Sequence, residues 1–219
     1  MKKRIIVLII SILLISVITF VGGLFKSINI MWLKILLMTL FDLLNCGVAL
    51  LAMKLTNMKI DFDIKNKKQY FIGIAIALIL SAIIAFIPAI LGFSLVGQHT
   101  DFSWFTIIYN FLFYFIIIGP VEELIFRVYI QDTFISFFNK NKWIGVVIAS
   151  FIFGLWHLIN GSLVQVLFTF MIGLVFGLSK YLIKDCKYLG LALGHSLYDF
   201  LNVIVRIYIV EQGDKFVIC

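Results

Sequence analysis

Three glutamates occur in the 219 residues, and two of them stand side by side in Ile117-Ile118-Gly119-Pro120-Val121-Glu122-Glu123-Leu124-Ile125-Phe126-Arg127. An ionised side chain in the middle of a bilayer costs about 2.5 kcal/mol or more, so acids in such apolar surroundings persist for function or as paired structure. Helical geometry separates the two. Glu123 and Arg127 fall at i and i+4 with the acid first, the favourable order for an ion pair. Glu122 is rotated by about 100° from that face, which leaves it available for proton transfer. The bland reading is a solvated cluster near a loop. His157 closes Phe153-Gly154-Leu155-Trp156-His157, where a lone histidine is ordinarily a satisfied core residue. His195 is followed by Asp199, Asn202 and Arg206 at offsets of 4, 7 and 11. That spacing draws one polar stripe along a helix, either a helix–helix seam or a face turned to water.

Counting charges inside apolar stretches, the acids Asp42, Glu122, Glu123 and Asp199 exceed the bases Arg127 and Arg206. Some of these acids must therefore be protonated, paired with histidine or bound to a cation. A buried carboxyl whose pKa is raised can serve as a general base near neutrality. Two histidines and a glutamate (His157, His195 and Glu122) are also a zinc ligand set. Either chemistry activates water.

The elements that must position these groups are membrane spans. The chain is 63% hydrophobic and 13% charged with a mean hydropathy of +1.14, against about 25% charged residues in a soluble domain. Seven apolar segments, at about 5–25, 29–53, 70–97, 104–137, 143–159, 162–183 and 188–210, match the length of about 20 residues that crosses a bilayer core. The expected fold is an all-α, polytopic transmembrane helical bundle, since a β-barrel needs alternating segments of about 10 residues. No polar gap is long enough to hold a soluble domain, so 1–219 reads as one integral membrane domain. The fourth segment is too long for one upright span, and Gly119-Pro120 lies within it, so a helix broken at the proline is expected, with Glu122 and Glu123 in the first turn of a new helix. Gly173/Gly177 and Gly190/Gly194 could let the sixth and seventh helices pack closely.

Basic residues gather at the start, at 54–69, at 138–142 and at 184–187, whereas the gaps near 26–28, 98–103 and 160–161 hold few. The positive-inside rule then predicts a cytoplasmic N-terminus, an odd number of spans and an external C-terminus in the plasma membrane. Membrane orientation accounts for the net charge of +7, and no nucleic-acid partner is expected. The first segment reads as a retained anchor rather than a cleaved signal peptide. Cys46, Cys186 and Cys219 have neither CxxC nor metal-like spacing, and Cys219 does not sit where a prenylation box places its cysteine.

Glu122-Glu123-x-x-x-Arg127, Phe153-x-x-x-His157 and His195-x-x-x-Asp199 resemble, in order, the three motifs of the CPBP family (CAAX proteases and bacteriocin-processing enzymes, also called the Abi family). The resemblance covers roughly 104–205, which makes 104–210 the catalytic core and 1–103 accessory spans. It implies an intramembrane endopeptidase acting on a membrane-associated protein or peptide precursor. Carried over, Glu122 is the general base, His157 orients or polarises the water, and His195 with Asp199 stabilises the oxyanion or completes the site. Glu123 and Arg127 hold the helix. A divalent metal such as zinc on Glu122, His157 and His195 is the alternative to glutamate-activated water. The competing function is a non-catalytic scaffold or bacteriocin self-immunity protein of the same fold, and a small transporter stands third. On the protease reading Glu122, His157, His195 and Asp199 are expected to converge on one water-accessible cavity reached from the cytoplasmic side.

Overall fold

Polar caps begin several of the helices. Asn66, Ser103 and Ser162 each accept a hydrogen bond from a backbone N–H two or three residues on, at 3.2, 3.0 and 3.2 Å, which satisfies donors that a first helical turn leaves over. The computed structural model describes residues 2–208 apart from 93, 139, 160 and 161. The gap at 160–161 and Cys219 therefore lie outside the described residues. Among the described residues the helices are α1 (Lys2–Leu24), α2 (Met31–Leu55), α3 (Lys67–Ile90), α4 (Trp104–Phe137), α5 (Trp143–Leu158), α6 (Leu163–Leu182) and α7 (Tyr188–Tyr208). They reproduce the seven expected segments, the third stopping seven residues early because Gly92 and Gly97 take positive φ values of 86° and 102° beyond it.

Six of the helices are long and apolar enough to cross a membrane. The exception is α5, which carries His157. Its 16 residues extend about 24 Å, less than a hydrocarbon core of about 30 Å. A helix of that length crosses only where the bilayer thins or its flanking residues snorkel. Large apolar side chains such as Leu13, Phe71 and Ile90 stay exposed on the helix surfaces, as lipid-facing positions do.

The expected break at Gly119-Pro120 takes another form. The backbone of α4 stays helical through the proline and widens into π turns on either side, at Tyr114–Ile118 and Leu124–Gln131. A π turn is one of the few ways a helix absorbs a missing N–H without ending.

The chain divides into two compact units, and the division passes between Pro120 and Val121. The first unit holds residues 1–62 and 121–184. Within it α1 lies along α2, with Asn45 Nδ2 donating to Thr19 Oγ1 at 3.0 Å. The same unit contains the closely packed pair α5 and α6, where Gly173 lies against Ser150 and Phe153, and Gly177 against Val146 and Gln131. The second unit holds residues 63–120 and 185–219 and is built on α3 against α7. A Cβ on Gly73 would lie 1.9 Å from the carbonyl oxygen of Gly190. No other residue fits that backbone approach. The small-residue pairs do mediate close packing, but α6 uses its pair on α5 and α4, and α7 uses its pair on α3.

Candidate functional site

In the first unit the π-wound stretch Leu124–Gln131 is buried at all eight positions. Glu123 and Arg127 flank its start, both with 0% side-chain exposure, and Arg127 Nε lies 3.5 Å from Glu123 Oε2. The guanidinium carbon also sits 4.8 Å above the centre of the Phe153 ring, a cation–π contact that helps to hold a desolvated charge. Phe153 in turn meets the His157 ring edge-on at 4.8 Å. The two motifs of this unit are thus joined through Glu123, Arg127, Phe153 and His157. Phe126 completes the joint, edge-on to Phe153 at 4.9 Å and to Trp156 at 5.4 Å.

Glu122 is half-buried, unlike its neighbour. Its charge lies within electrostatic reach of Arg127, as does that of Glu123. His157 is also half-buried, and its Nδ1 lies 2.9 Å from the Phe153 carbonyl oxygen. A carbonyl only accepts, so Nδ1 carries the proton, and in the neutral ring the lone pair is on Nε2. That nitrogen can accept a proton or a hydrogen bond from water.

In the second unit His195 is buried and its Nε2 lies 3.5 Å from Asp199 Oδ2, with side-chain exposures of 5% and 21%. The part of α4 that precedes the first motif is held from the same helix. Ser196 Oγ donates to the Tyr114 carbonyl at 2.8 Å and is within 2.7 Å of that of Ala192. Tyr188 donates to the Pro120 carbonyl at 3.0 Å. A Cβ on Gly119 would fall 2.1 Å from Ser196 Oγ and 2.8 Å from the Ala192 oxygen, so a glycine here lets α4 and α7 touch. At the far end of the stripe the Thr100 N–H donates to the Arg206 carbonyl at 3.3 Å.

Among the described residues no group of three or more His, Cys, Asp or Glu side chains is arranged to hold a metal ion. No step below is routed through a metal.

Several supporting residues were missed from sequence. Asp132 and Lys180 both lie inside predicted spans but were left out of the charge count. They form an ion pair at 2.5 Å; with Lys34, which lies inside the second predicted segment and was also left out, one acid and two bases must be added, so the excess of acids falls from two to one. Tyr129 and Ser11 share a hydrogen bond of 2.6 Å, and neither residue type carries a signal at such separation.

Residues 103–201 match the family model described as "Type II CAAX prenyl endopeptidase Rce1-like". That segment contains all three motifs. Searches of curated proteins and of solved structures find no match.

Proposed function

We propose that this multi-pass membrane protein, whose residues 103–201 match the CAAX prenyl endopeptidase family model, is a CPBP-type protease that hydrolyses a peptide bond in a membrane-associated protein or peptide precursor by glutamate- and histidine-activated water. The observation that supports the reading is the different burial of the two adjacent carboxylates. Glu123 is fully buried on Arg127, while Glu122 is half-buried beside it. In the proposed reaction Glu122 takes a proton from water, and the oxygen attacks the scissile carbonyl. His157 Nε2 accepts the water's second hydrogen bond and orients it. A protonated His195, its charge met by Asp199, donates to the oxyanion, where such stabilisation is usually the largest single contribution to catalysis. Collapse of the intermediate breaks the C–N bond, and Glu122 returns its proton to the leaving amine. The products are one carboxylate-ended and one amine-ended peptide. We place the protein in the plasma membrane with its N-terminus in the cytoplasm, where the basic gaps put it.

The test uses purified protein in lipid nanodiscs with two probes, a prenylated Cys-a-a-X peptide and an unprenylated precursor peptide. Glu122→Gln keeps size and hydrogen bonding but removes the base. Cleavage is expected to fall by orders of magnitude with folded yield unchanged, and dialysis against a chelator should leave the wild-type rate intact. A Glu122→Gln protein as active as wild type would remove Glu122 from the role of base, and a wild-type protein that cleaves neither probe would favour the scaffold or self-immunity reading. Loss of activity on chelation, restored by zinc, would overturn the metal-free mechanism.

A further inference from the structure

The stretch Leu124–Gln131 departs from α geometry just after the two glutamates, and sustained π winding does not persist without support from outside the helix. That support comes from two other helices of the first unit. From α1, Ser11 Oγ meets Tyr129 OH at 2.6 Å. From α6, Gly177 offers its carbonyl to Gln131 Nε2 at 3.1 Å. Also from α6, Lys180 Nζ donates to the Arg127 carbonyl oxygen at 2.8 Å and meets Asp132 Oδ1. The last contact differs in kind. Lys180 is a charged donor with only 16% of its side chain exposed, and it grips the backbone of the residue whose side chain holds Glu123. Lysine near the end of a span ordinarily reaches for the headgroups. Here it turns inward onto the helix that carries the acids.

We infer that Lys180, anchored by Asp132, is a positioning residue that fixes the rotation of the Glu122–Arg127 segment and so decides which of the two glutamates is presented for chemistry. A charge-assisted bond to the Arg127 carbonyl constrains where that peptide unit lies on the helix. One residue of rotation moves Glu123 onto the face that Glu122 held. Lys180 lies outside all three motifs, and Ser11 lies outside the family match. The inference deepens the protease reading but does not need it to be testable, because rotation can be read without turnover.

The experiment uses the full chain in nanodiscs. In a background free of Cys46, Cys186 and Cys219, Glu122→Cys and the double variant Glu123→Cys/Arg127→Met, which leaves no buried charge unpaired, are labelled with a small hydrophilic thiol reagent, and the two rates are compared. Position 122 should label faster than 123. Lys180→Met should abolish that preference with little change in thermal midpoint, and Lys180→Arg, which keeps a charged donor, should restore it. With both glutamates present, Lys180→Met should also lower kcat about a hundredfold at similar KM, as a misplacement on the order of 1 Å can. Should Lys180→Met not fold, Lys180→Gln takes its place, retaining one donor without the charge. An unchanged labelling preference in whichever variant folds overturns the inference. A lost preference in a protein whose parent cleaves nothing overturns the protease reading alone.

Discussion

The Glu123–Arg127 pair offers a quantitative test of how this site is held. At 3.5 Å and with both side chains fully buried, the Coulomb attraction is about 4.7 kcal/mol at an effective dielectric constant of about 20. That attraction offsets a desolvation cost of several kcal/mol for each ion. The pair as a whole is therefore close to neutral for stability, whereas half of it is not. Glu123→Gln strands a guanidinium, and Arg127→Met strands a carboxylate; each single change should cost about 3–5 kcal/mol. Against a total stability of about 5–15 kcal/mol, such a loss should sharply reduce folded yield. The double variant Glu123→Gln/Arg127→Met should recover most of it, because no uncompensated charge is left. Thermal unfolding followed by fluorescence-detected size exclusion in detergent gives all four corners of the cycle. Single variants that unfold like wild type, or a double variant as poor as the sum of the singles, would refute the argument.

Three further outcomes are expected. Gly119→Ala should cost about 1–3 kcal/mol by overpacking, and Ser196→Ala should rescue it only in part, because the Ala192 backbone oxygen remains 2.8 Å from the new methyl group; thermal midpoints of the two single and the double variants decide this. Lys187 Nζ lies 2.9 Å from Asp63 Oδ2, and this hydrogen bond holds the Asp63 carboxyl below its ordinary value. With the folded value depressed, the contact contributes fully above the ordinary carboxylate range and is lost as pH falls through the folded value. Acid titration of thermal stability should therefore lose a component below about pH 4 in wild type that is missing in Asp63→Asn. Finally, in a background free of Cys46 and Cys186, an impermeant thiol reagent should label Cys219 in intact cells; labelling only after permeabilisation would overturn the proposed orientation.

The helices were legible because bilayer crossing imposes length and apolarity on each segment separately. The predicted bounds of the second, fifth and sixth segments lie within about two residues of Met31–Leu55, Trp143–Leu158 and Leu163–Leu182. The motif residues were legible for a related reason, since ionisable groups stand out where nearly every neighbour is apolar. What the sequence did not disclose depends on which helices touch. Gly190 and Gly194 announce a close approach, yet nothing local identifies Gly73 as its other side. Pro120 announces a disturbance, but whether it breaks the helix or widens it depends on groups such as Ser196 and Tyr188 that take up the carbonyls beside it. Lys180 was overlooked because its position near a helix end fits a headgroup contact equally well. Phe153 was legible only as one end of the Phe153-x-x-x-His157 pattern, and the ring geometry reveals it as the surface on which Arg127 and His157 both rest.

The interleaved division of the chain bears on how the protein is made. Each unit is assembled from two stretches far apart in sequence. The Gly190 N–H meets Gln69 Oε1 across 121 positions, and Ser11 meets Tyr129 across 118. At about 5–20 residues per second, a ribosome needs roughly 6–24 s to deliver the second half of either contact. During that interval α1, α2 and α3 enter the bilayer without their partners from the later stretch, and the polar side chain of Ser11 must be tolerated in lipid or shielded. Insertion and folding are therefore separate events here, and nascent chains stalled before α7 should be preferred substrates for membrane quality-control proteases.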